Sequence, residues 1–447
     1  MVFEFLKDLV IIFGISAVVV YTLGRLRVPS IIGFLLAGVI MGPHGFGLIG
    51  SVHEVEVFAE IGVILLMFTI GLEFSLKHLL MLRTAVLGGG FLQVAASVAL
   101  IVALAVFVFQ DTLRIALFDG ALVALSSTAI VIKLLMDRAE INSPHGRSIV
   151  GILIFQDLCV VPFMLLVPIL AGTGGSVEDI LLTMIKAAMV IGAVIASSRW
   201  GVPHLLHQVV RTKSRELFVI TIILLCIGTA LLTWELGLSL ALGAFLAGIV
   251  ISESDYAAQA ISDIIPFKES FTGLFFISIG MLMDLRFLGH NLHLILPVVI
   301  TILALKILSG TLAAYAIGQT VRHSVMTGFY LSQIGEFSFI LAQSGKAQGL
   351  MTEDLYQVFL SASVLTMLAT PLMVVLSSPV SSWLVSRKLL GRFDRSQRGV
   401  AKDSYPKKKS GHVIIVGFGI NGRNLARVLR ESEIPYVILE LNSNTVK

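Results

Sequence analysis

The sequence predicts an all-α polytopic membrane protein that continues, near its C-terminal end, into the start of a Rossmann-like α/β fold. Of the 447 residues, 56% are hydrophobic and only 13% are charged, far from the usual balance of soluble domains. Apolar windows of about 20 residues, the length that crosses a bilayer, recur through most of the chain. After residue 385 the sequence becomes polar and basic, and then shows strand-like and helix-like patterns in turn.

Window length and loop residues predict about thirteen transmembrane helices. The first is expected to be a span rather than a cleavable signal peptide, because no small-residue cleavage site follows it. The predicted segments are residues 5–24, 29–42, 57–76, 84–108, 115–136, 149–171, 179–198, 217–233, 236–251, 270–285, 291–318, 325–345 and 355–383.

Loops rich in lysine and arginine alternate with neutral or acidic loops, which predicts the orientation. Arg25 and Arg27 lie in the first loop, and Arg138 and Arg147 lie in a later loop on the same side. Basic loops stay in the cytoplasm, so the N-terminus is expected outside and the C-terminus inside, in a bacterial inner membrane. The loop 252–269 is predicted to be cytoplasmic although it is mostly acidic, because acidic residues count little in this rule.

The composition divides the chain into three parts. Residues 1–385 are predicted to form the transmembrane domain, residues 386–410 a basic cytoplasmic linker, and residues 411–447 the beginning of a nucleotide-binding domain. The net charge of +4 is too small to indicate a nucleic-acid partner. Two cysteines, Cys159 and Cys226, both lie in apolar runs and predict neither a disulfide nor a metal site.

Glycines directly after a predicted strand indicate nucleotide binding in the third part. In the motif GFGING, Gly417, Gly419 and Gly422 permit a tight turn, close approach to phosphates and helix–strand packing. Glu440 ends the next predicted strand, where an acid would bind ribose hydroxyls. Only about one βαβ unit is predicted, so a regulatory nucleotide, NAD(H) or AMP/ATP, is expected only where the complete domain is present.

Three motifs of the first half recur in the second half. The pairs are GFLLAG with GAFLAG, LLMFTIGLEFSL with LFFISIGMLMDL, and GALVALSSTAI with GFYLSQIGEFS. Each pair is separated by roughly 208 to 210 residues, which carries the second predicted segment onto the ninth, an odd number of crossings. Related units would therefore enter the membrane from opposite sides, as in the inverted repeats of secondary transporters.

The third motif pair predicts two broken helices that cross near the membrane midplane. The polar residues that would interrupt them are Ser126, Ser127 and Thr128 in the first helix, and Gln333, Gly335 and Glu336 in the second. Unwound backbone inside a membrane must be satisfied by protein or water, and the half-helix ends would offer partial charges to an ion. Ordinary packing by small residues is the alternative explanation for the first set.

Asp157 is the leading candidate for an ion-binding residue. It lies well inside the sixth predicted segment, where a charge costs roughly 2.5–3.5 kcal/mol on insertion scales. A single buried carboxylate can hold either a proton or a small monovalent cation, and competition between them is sufficient chemistry for exchange. Gln156 offers an amide carbonyl, although it points about 100° away along a helix. The alternative is a structural carboxylate satisfied by hydroxyl and backbone groups.

Two further ionisable residues, Lys306 and Glu336, lie deep in predicted spans. Lys306 could pair with Asp157 when no ion is bound, or with Glu336, or could form a structural ion pair. Glu336 could contact the ion directly, or could neutralise the positive N-terminal ends of the half-helices.

Together these motifs resemble those of Kef-type potassium/proton antiporters within the monovalent cation:proton antiporter superfamily. The stretches that carry the resemblance are ALSSTAIVIKLL, GRSIVGILIFQDLCVVP, SDIIPFKESFTGLFFISIGM, LSQIGEFSFIL and HVIIVGFGINGRNLARVL, in chain order. The resemblance implies thirteen membrane helices, a homodimer, and a core that moves like an elevator against a dimerisation domain. The C-terminal stretch is similar to the start of a regulator-of-potassium-conductance domain.

The resemblance also assigns roles to single residues. It implies that Asp157 binds the ion or the proton with help from Gln156, that the two broken helices flank the site, and that Lys306 occupies the family's basic position. The pair Gln156–Asp157 is typical of the Kef type, whereas many sodium/proton relatives carry Asn-Asp or Asp-Asp. Ala258 stands where glutathione-gated members carry histidine, so glutathione gating is not expected, although the acidic Asp263 of that regulatory loop is present.

The sequence therefore predicts a transporter rather than an enzyme, with K⁺ and H⁺ as substrates, lipid around it, and no catalytic cofactor. A sodium/proton antiporter on the same scaffold is the first alternative. A nucleotide-regulated potassium channel would need a TVGYG-like filter, and none occurs in the sequence. A membrane oxidoreductase would need a haem, flavin or quinone site, and no paired transmembrane histidines indicate one.

Overall fold

A computed structural model describes residues 2–25, 28–49, 52–73, 84–172, 201–235, 240–386 and 411–439. Among these residues, eight helical segments are long and apolar enough to cross a membrane, and three shorter apolar helices accompany them. Twelve of the predicted segments coincide with helices of the structure. Segment 179–198 lies outside the described residues, so the total of thirteen stays a prediction.

Seven helices are described between residues 2 and 172, and the fourth follows a π-helical turn, Thr84–Gly90. They are α1 (Val2–Arg25), α2 (Ser30–Met41), α3 (Val52–Glu73), α4 (Phe91–Phe107), α5 (Leu113–Ala124), α6 (Thr128–Asp137) and α7 (Pro144–Ala171). Residues 201–211 are helical and form α8.

The described helices of the second half follow the same series and include a short helix, α12, whose counterpart position in the first half lies outside the described residues. Its helices are α9 (Arg215–Glu235), α10 (Leu240–Ser252), α11 (Ala257–Leu282), α12 (Leu285–His290), α13 (Leu292–Ala316), α14 (Val321–Tyr330), α15 (Glu336–Ala347) and α16 (Glu353–Ser386). Several corresponding helices begin 208 to 210 residues apart, for example at Ser30 and Leu240 or at Thr128 and Glu336. The order of the described helices agrees with the predicted internal repeat.

Close glycine contacts show how the two halves pack. A Cβ atom on Gly38 would lie 3.0 Å from the Cα of Gly280, where α2 crosses α11. A Cβ atom on Gly248 would lie 2.8 Å from the Cα of Gly71, where α10 crosses α3. In the first contact α2 of the first half meets α11 of the second half, and in the second contact their counterparts α10 and α3 meet. This exchange of the two halves is the pattern of a two-fold relation. Glycine lets the helix backbones approach this closely without a hydrophobic driving force.

The described helices form two groups within the first unit, Met1–Asp394. In the first helix group, α1, α2 and α3 pack with α9, α10 and α11; in the second helix group, α4 to α7 pack with α13 to α16. Each group therefore contains matching helices from both halves. Contacts within each group are much denser than those between the groups.

The prediction that residues 252–269 form a loop is wrong, whereas their cytoplasmic location stays a prediction. The structure has a short turn after α10 and then α11, which begins at Ala257 and continues through the predicted loop to Leu282. Charged residues and Pro266 made this stretch resemble a loop. Helix is nevertheless formed, because Asp263 pairs with Arg215 and because neighbouring groups can compensate for the N–H that proline lacks in a membrane helix.

The second unit, Arg395–Lys447, contains one βαβ element among its described residues. Strand β1 (Val413–Val416), helix α17 (Ile420–Glu431) and strand β2 (Tyr436–Leu439) follow one another, and β1 pairs with β2 in parallel. This is the predicted order of strand, glycine turn, helix and strand.

Candidate functional site

Two helices of the second helix group are interrupted where the sequence predicted breaks. Between α5 and α6 the backbone is extended at Leu125 and Ser127. Between α14 and α15 it is non-helical from residue 332 to residue 335, and Gly335 is extended. All residues of both breaks are buried, so their backbone groups must be satisfied by other parts of the protein.

The two unwound segments satisfy each other's backbone groups where they cross. The N–H of Gly335 donates to the carbonyl of Leu125 at 3.0 Å. The hydroxyl of Ser126 donates to the carbonyl of Leu331, the last group of the other half-helix, also at 3.0 Å. A Cβ atom on Gly335 would lie 2.6 Å from the carbonyl carbon and oxygen of Ser126, so the crossing requires glycine there.

Lys306 neutralises the C-terminal end of α5. Its ammonium, 1% exposed, donates to the carbonyls of Val123, Ala124 and Leu125 at 2.8, 3.2 and 2.7 Å. These carbonyls carry the negative end of the half-helix dipole. The predicted pairing of Lys306 with Asp157 or Glu336 is therefore wrong for this structure, because its hydrogen bonds go to the interrupted backbone.

Glu336 lies where two positive helix ends meet. It is the first residue of α15 and is 4% exposed, and its carboxylate lies beside the Ser127 hydroxyl and the Ala129 amide at the start of α6. Its charge also interacts with that of Lys268. This placement agrees with the neutralising role inferred from the sequence. Direct contact between Glu336 and an ion stays a prediction.

Asp157 lies beside the first break and faces a cavity. Its side chain, on α7, is 8% exposed, and the Thr128 hydroxyl donates to both carboxylate oxygens at 3.0 and 3.1 Å. The cavity measures about 500 Å³ and is lined by Asp157, Glu336 and Thr128 on one side. Residues of α2, α3 and α11 line the other side, so the cavity lies between the two helix groups.

Gln156 points away from the cavity and holds the first break in place. Its Oε1 accepts from the N–H of Ser126 at 2.8 Å, and its Nε2 donates to Oε1 of Gln93 at 2.6 Å. At the pseudo-symmetric position of the second break, the Thr366 hydroxyl accepts from the N–H of Ile334 at 3.2 Å. Both polar atoms of the Gln156 side chain thus bind protein groups in this structure. Its predicted contact with an ion stays a prediction.

The structure leaves three other predicted residues away from the cavity. Gln333 lies in the second break, fully buried, and its two side-chain polar atoms have no hydrogen-bond partner among the described residues. Asp263 lies on α11 and accepts from Arg215 at 2.7 and 2.9 Å, and Ala258 lies on the exposed first turn of the same helix.

No group of three or more His, Cys, Asp or Glu side chains suited to a metal ion occurs in the described part of the chain.

A second polar cluster, which the sequence did not reveal, joins the loop before α7 to α14. The Tyr330 hydroxyl donates to Glu140 at 2.6 Å, and Nε2 of His145 lies 3.1 Å from the same carboxylate oxygen. The rings of His145 and His323 stack with centroids 5.7 Å apart. Partial burial raises the pKa of Glu140, but the hydrogen bonds from Tyr330 and His145 together lower it by more, so the pKa lies below its ordinary value.

We expect Tyr330→Phe to destabilise the protein by about 1 kcal/mol at neutral pH, because it removes a hydrogen bond to a charged acceptor. A carboxylate whose pKa is lowered in the folded state stabilises the protein above its ordinary pKa, and this stabilisation is lost as the pH falls through the folded-state value. The difference between variant and wild type should therefore shrink at acidic pH. Thermal unfolding in detergent at neutral and acidic pH measures it, and Tyr21→Phe, at an exposed site, is the control. A difference that is independent of pH would contradict the assignment.

The glycines of the second unit adopt the geometry that the motif predicts. Gly417 has a φ of +88°, and a Cβ atom on Gly422 would lie 2.1 Å from the carbonyl oxygen of Gly417. Gly419 precedes the first turn of α17. Glu440 lies outside the described residues, so its predicted contact with ribose, and nucleotide binding itself, stay predictions.

Comparison with known families identifies the transmembrane part. Residues 13–376 match the family model described as "Sodium/hydrogen exchanger, transmembrane". The chain belongs to this family. Among its relatives in the exchanger family is the putative K(+) efflux antiporter KefB of Alkalimonas amylolytica, 33% identical over 99% of this chain and 67% of the relative.

Two plant members of the exchanger family are also similar to this chain. K(+) efflux antiporters 1 and 2, chloroplastic, of Arabidopsis thaliana are each 34% identical over 93% of the chain. The chain spans only 35% and 36% of their lengths. Because these relatives are named K(+) efflux antiporters, the resemblance to Kef-type cation:proton antiporters is confirmed.

A solved antiporter structure shows the same fold. The sodium proton antiporter MjNhaP1 of Methanocaldococcus jannaschii at pH 8 superposes with a TM-score of 0.62 over 85% of this chain and 98% of the antiporter, at 15% identity. At this identity the similarity supports the polytopic helical fold alone.

Proposed function

We propose that this exchanger-family protein is a secondary antiporter that exchanges K⁺ for H⁺, with Asp157 binding either the cation or the proton. The observation that carries the proposal is one buried carboxylate that opens onto a cavity beside two crossed helix breaks. The ends of the breaks have ionisable side chains of their own, because Lys306 binds the last carbonyls of α5 and Glu336 lies at the first turns of α6 and α15. The helix ends therefore do not require the charge of Asp157, which faces the cavity.

Competition at Asp157 accounts for the coupling. A proton on the carboxylate removes the negative charge that a cation needs, and a bound cation excludes the proton. The Thr128 hydroxyl, which donates to Asp157 in this structure, can turn its oxygen toward a cation instead. The Asp157 carboxylate thus transports one K⁺ in one direction and one proton in the other. This one-for-one exchange is predicted to be electroneutral.

The position of the cavity opening supports a mechanism in which ions reach Asp157 from one side of the membrane at a time. Its rim includes Lys133, Asp137 and Lys268 at the end of α6 and on α11. The loop after α6 contains Arg138 and Arg147 lies shortly beyond, so the positive-inside rule places this opening in the cytoplasm. Movement of the second helix group against the first would carry Asp157 to the other side, as in an elevator. The sparse contacts between the groups favour such a motion. A homodimer that forms through the first helix group is part of the same proposal.

Potassium is proposed as the cation because the bacterial and plant relatives are named K(+) efflux antiporters. Placement in a bacterial inner membrane is part of the same proposal, and the distribution of basic loops supports an N-terminus outside. The βαβ element is proposed to belong to a regulatory domain that binds a nucleotide through Gly417, Gly419, Gly422 and Glu440.

Proton movement in proteoliposomes tests the exchange. The purified protein is reconstituted with an internal pH dye, and outward or inward gradients of K⁺, Rb⁺, Na⁺ or choline are imposed. We expect K⁺ gradients to drive proton movement without a membrane potential, and choline gradients to have no effect. Proton movement driven by Na⁺ but not K⁺ would replace the proposal with a sodium/proton antiporter. K⁺ flux without proton movement would indicate a channel.

A further inference from the structure

Gln93 is a fully buried glutamine near the start of α4, and no charge in the sequence draws attention to it. Its side chain lies between the end of α5 and the middle of α7. Nε2 donates to the carbonyl of Ala124 at 3.3 Å and to the hydroxyl of Ser97 at 2.9 Å. Oε1 accepts from Nε2 of Gln156 at 2.6 Å.

Two independent contacts fix which way round the amide of Gln93 lies. The carbonyl of Ala124 can only accept, so the amide nitrogen must face it. The N–H of Ser126 can only donate, so Oε1 of Gln156 faces it and Nε2 of Gln156 faces Gln93. Gln93 must therefore accept at that contact, and its nitrogen faces Ser97, which lies 2.8 Å from Ser309. Both routes place the oxygen of Gln93 toward residue 156.

The side chain at position 156 must consequently donate to Gln93 and accept from Ser126. An amide does both, whereas an ionised carboxylate would bring an acceptor against the Gln93 oxygen. The chain of hydrogen bonds begins at the carbonyl of Ala124 and ends at the N–H of Ser126. The two glutamines therefore connect residues on either side of Leu125 in the first break. Thr128, which binds Asp157, lies two residues further along the same segment.

We propose that Gln93 is a positioning residue that orients Gln156, and through it the first break, and that it restricts position 156 to a neutral amide. Gln93 does not line the cavity, so it acts on the substrate ion only through Gln156, Ser126 and Thr128. Because position 156 stays neutral, Asp157 supplies the single negative charge that α7 provides where the two breaks cross. This inference rests on the proposed K⁺/H⁺ exchange, because it assigns that carboxylate its affinity and its one-to-one coupling.

The test is a double-mutant cycle of Gln93→Met, Gln156→Met and the double variant in proteoliposomes, with initial proton flux measured over a range of K⁺ and Na⁺ concentrations. Methionine keeps the length of glutamine and removes the hydrogen bonds of the amide group. We expect Gln93→Met to raise the half-saturating K⁺ concentration about tenfold, to keep the maximal rate within about threefold of wild type, and to reduce the preference between K⁺ and Na⁺. The double variant should be no worse than the more impaired single variant.

Gln319→Met is the matched control. Gln319 also donates to a hydroxyl, that of Ser148 at 2.8 Å, but lies away from the breaks, so its K⁺ dependence should equal that of wild type. If Gln93→Met does not insert, Ser309→Ala replaces it. This variant frees the Ser97 hydroxyl and should shift the K⁺ dependence in the same direction by about twofold.

The inference is overturned by wild-type K⁺ dependence in Gln93→Met, by strictly additive effects in the cycle, or by a loss of folded protein with normal transport per molecule. If Ser309→Ala has to be used, an unchanged K⁺ dependence overturns it. Failure of the wild type to couple K⁺ to proton movement would instead reject the exchange itself, so the two failures can be told apart.

Discussion

Asp157→Asn is expected to reduce K⁺-driven proton movement by about 100-fold or more, to the level of empty liposomes. Asparagine keeps the size of the side chain and can still accept from the Thr128 hydroxyl. It cannot bind a proton at working pH and has no negative charge for a cation. Losing a buried charge interaction of roughly 3 kcal/mol corresponds to this factor in binding. The measurement is initial proton flux in proteoliposomes under an imposed K⁺ gradient.

The matched control for this substitution is Asp137→Asn. Asp137 lies at the rim of the same cavity, so its charge contributes at most to attracting cations, and exchange should persist within a few-fold. Thermal unfolding of Asp157→Asn should match that of wild type, which separates loss of function from loss of fold. Exchange at wild-type rates in Asp157→Asn would remove the proposed mechanism.

The breaks and the internal repeat could be predicted because they leave local signals. Small polar residues within an apolar segment, as at Ser126 to Thr128, favour interruption of a membrane helix. The paired glycines, such as Gly38 and Gly248, recur at a constant separation because both halves need the same close helix crossing. Both features are patterns within the sequence itself, so no knowledge of the three-dimensional contacts was needed.

The roles of Gln93, Gln156 and Lys306 depend on contacts between distant residues and could not be predicted. Lys306 binds carbonyls of residues 123–125, more than 180 positions away. Backbone carbonyls have no signature in the sequence, so the sequence suggested only charged side chains as its partners. Gln93 is uncharged, and a single glutamine in an apolar segment indicates nothing about its partner. The part of α11 within residues 252–269 was missed because charged residues usually indicate a loop. In the structure, Asp263 forms a salt bridge with Arg215, and Lys268 lines the cavity.

Lys306→Met is expected to lower the free energy of unfolding by about 3 kcal/mol and to abolish exchange. Methionine has nearly the same length but cannot donate, so the carbonyls at the end of α5 lose their main donor inside the membrane. The favourable interaction between the ammonium and the negative end of the half-helix is lost as well. Thermal unfolding in detergent and proton flux in proteoliposomes measure the two effects. Lys133→Met, at the cavity rim, is the control and should change the stability little.

The same variant distinguishes backbone capping from an ion pair with Asp157. If Lys306 were the counter-ion of Asp157, neutralising Asp157 would itself leave a buried charge unpaired, and the double variant Asp157→Asn/Lys306→Met would recover stability. Because Lys306 binds the carbonyls of the first break, we expect the double variant to be as unstable as Lys306→Met alone. Recovery of wild-type stability in the double variant would contradict the capping role. The lysine then acts on transport by holding the end of α5 in place, while the carboxylate of Asp157 faces the cavity and binds the substrate ion.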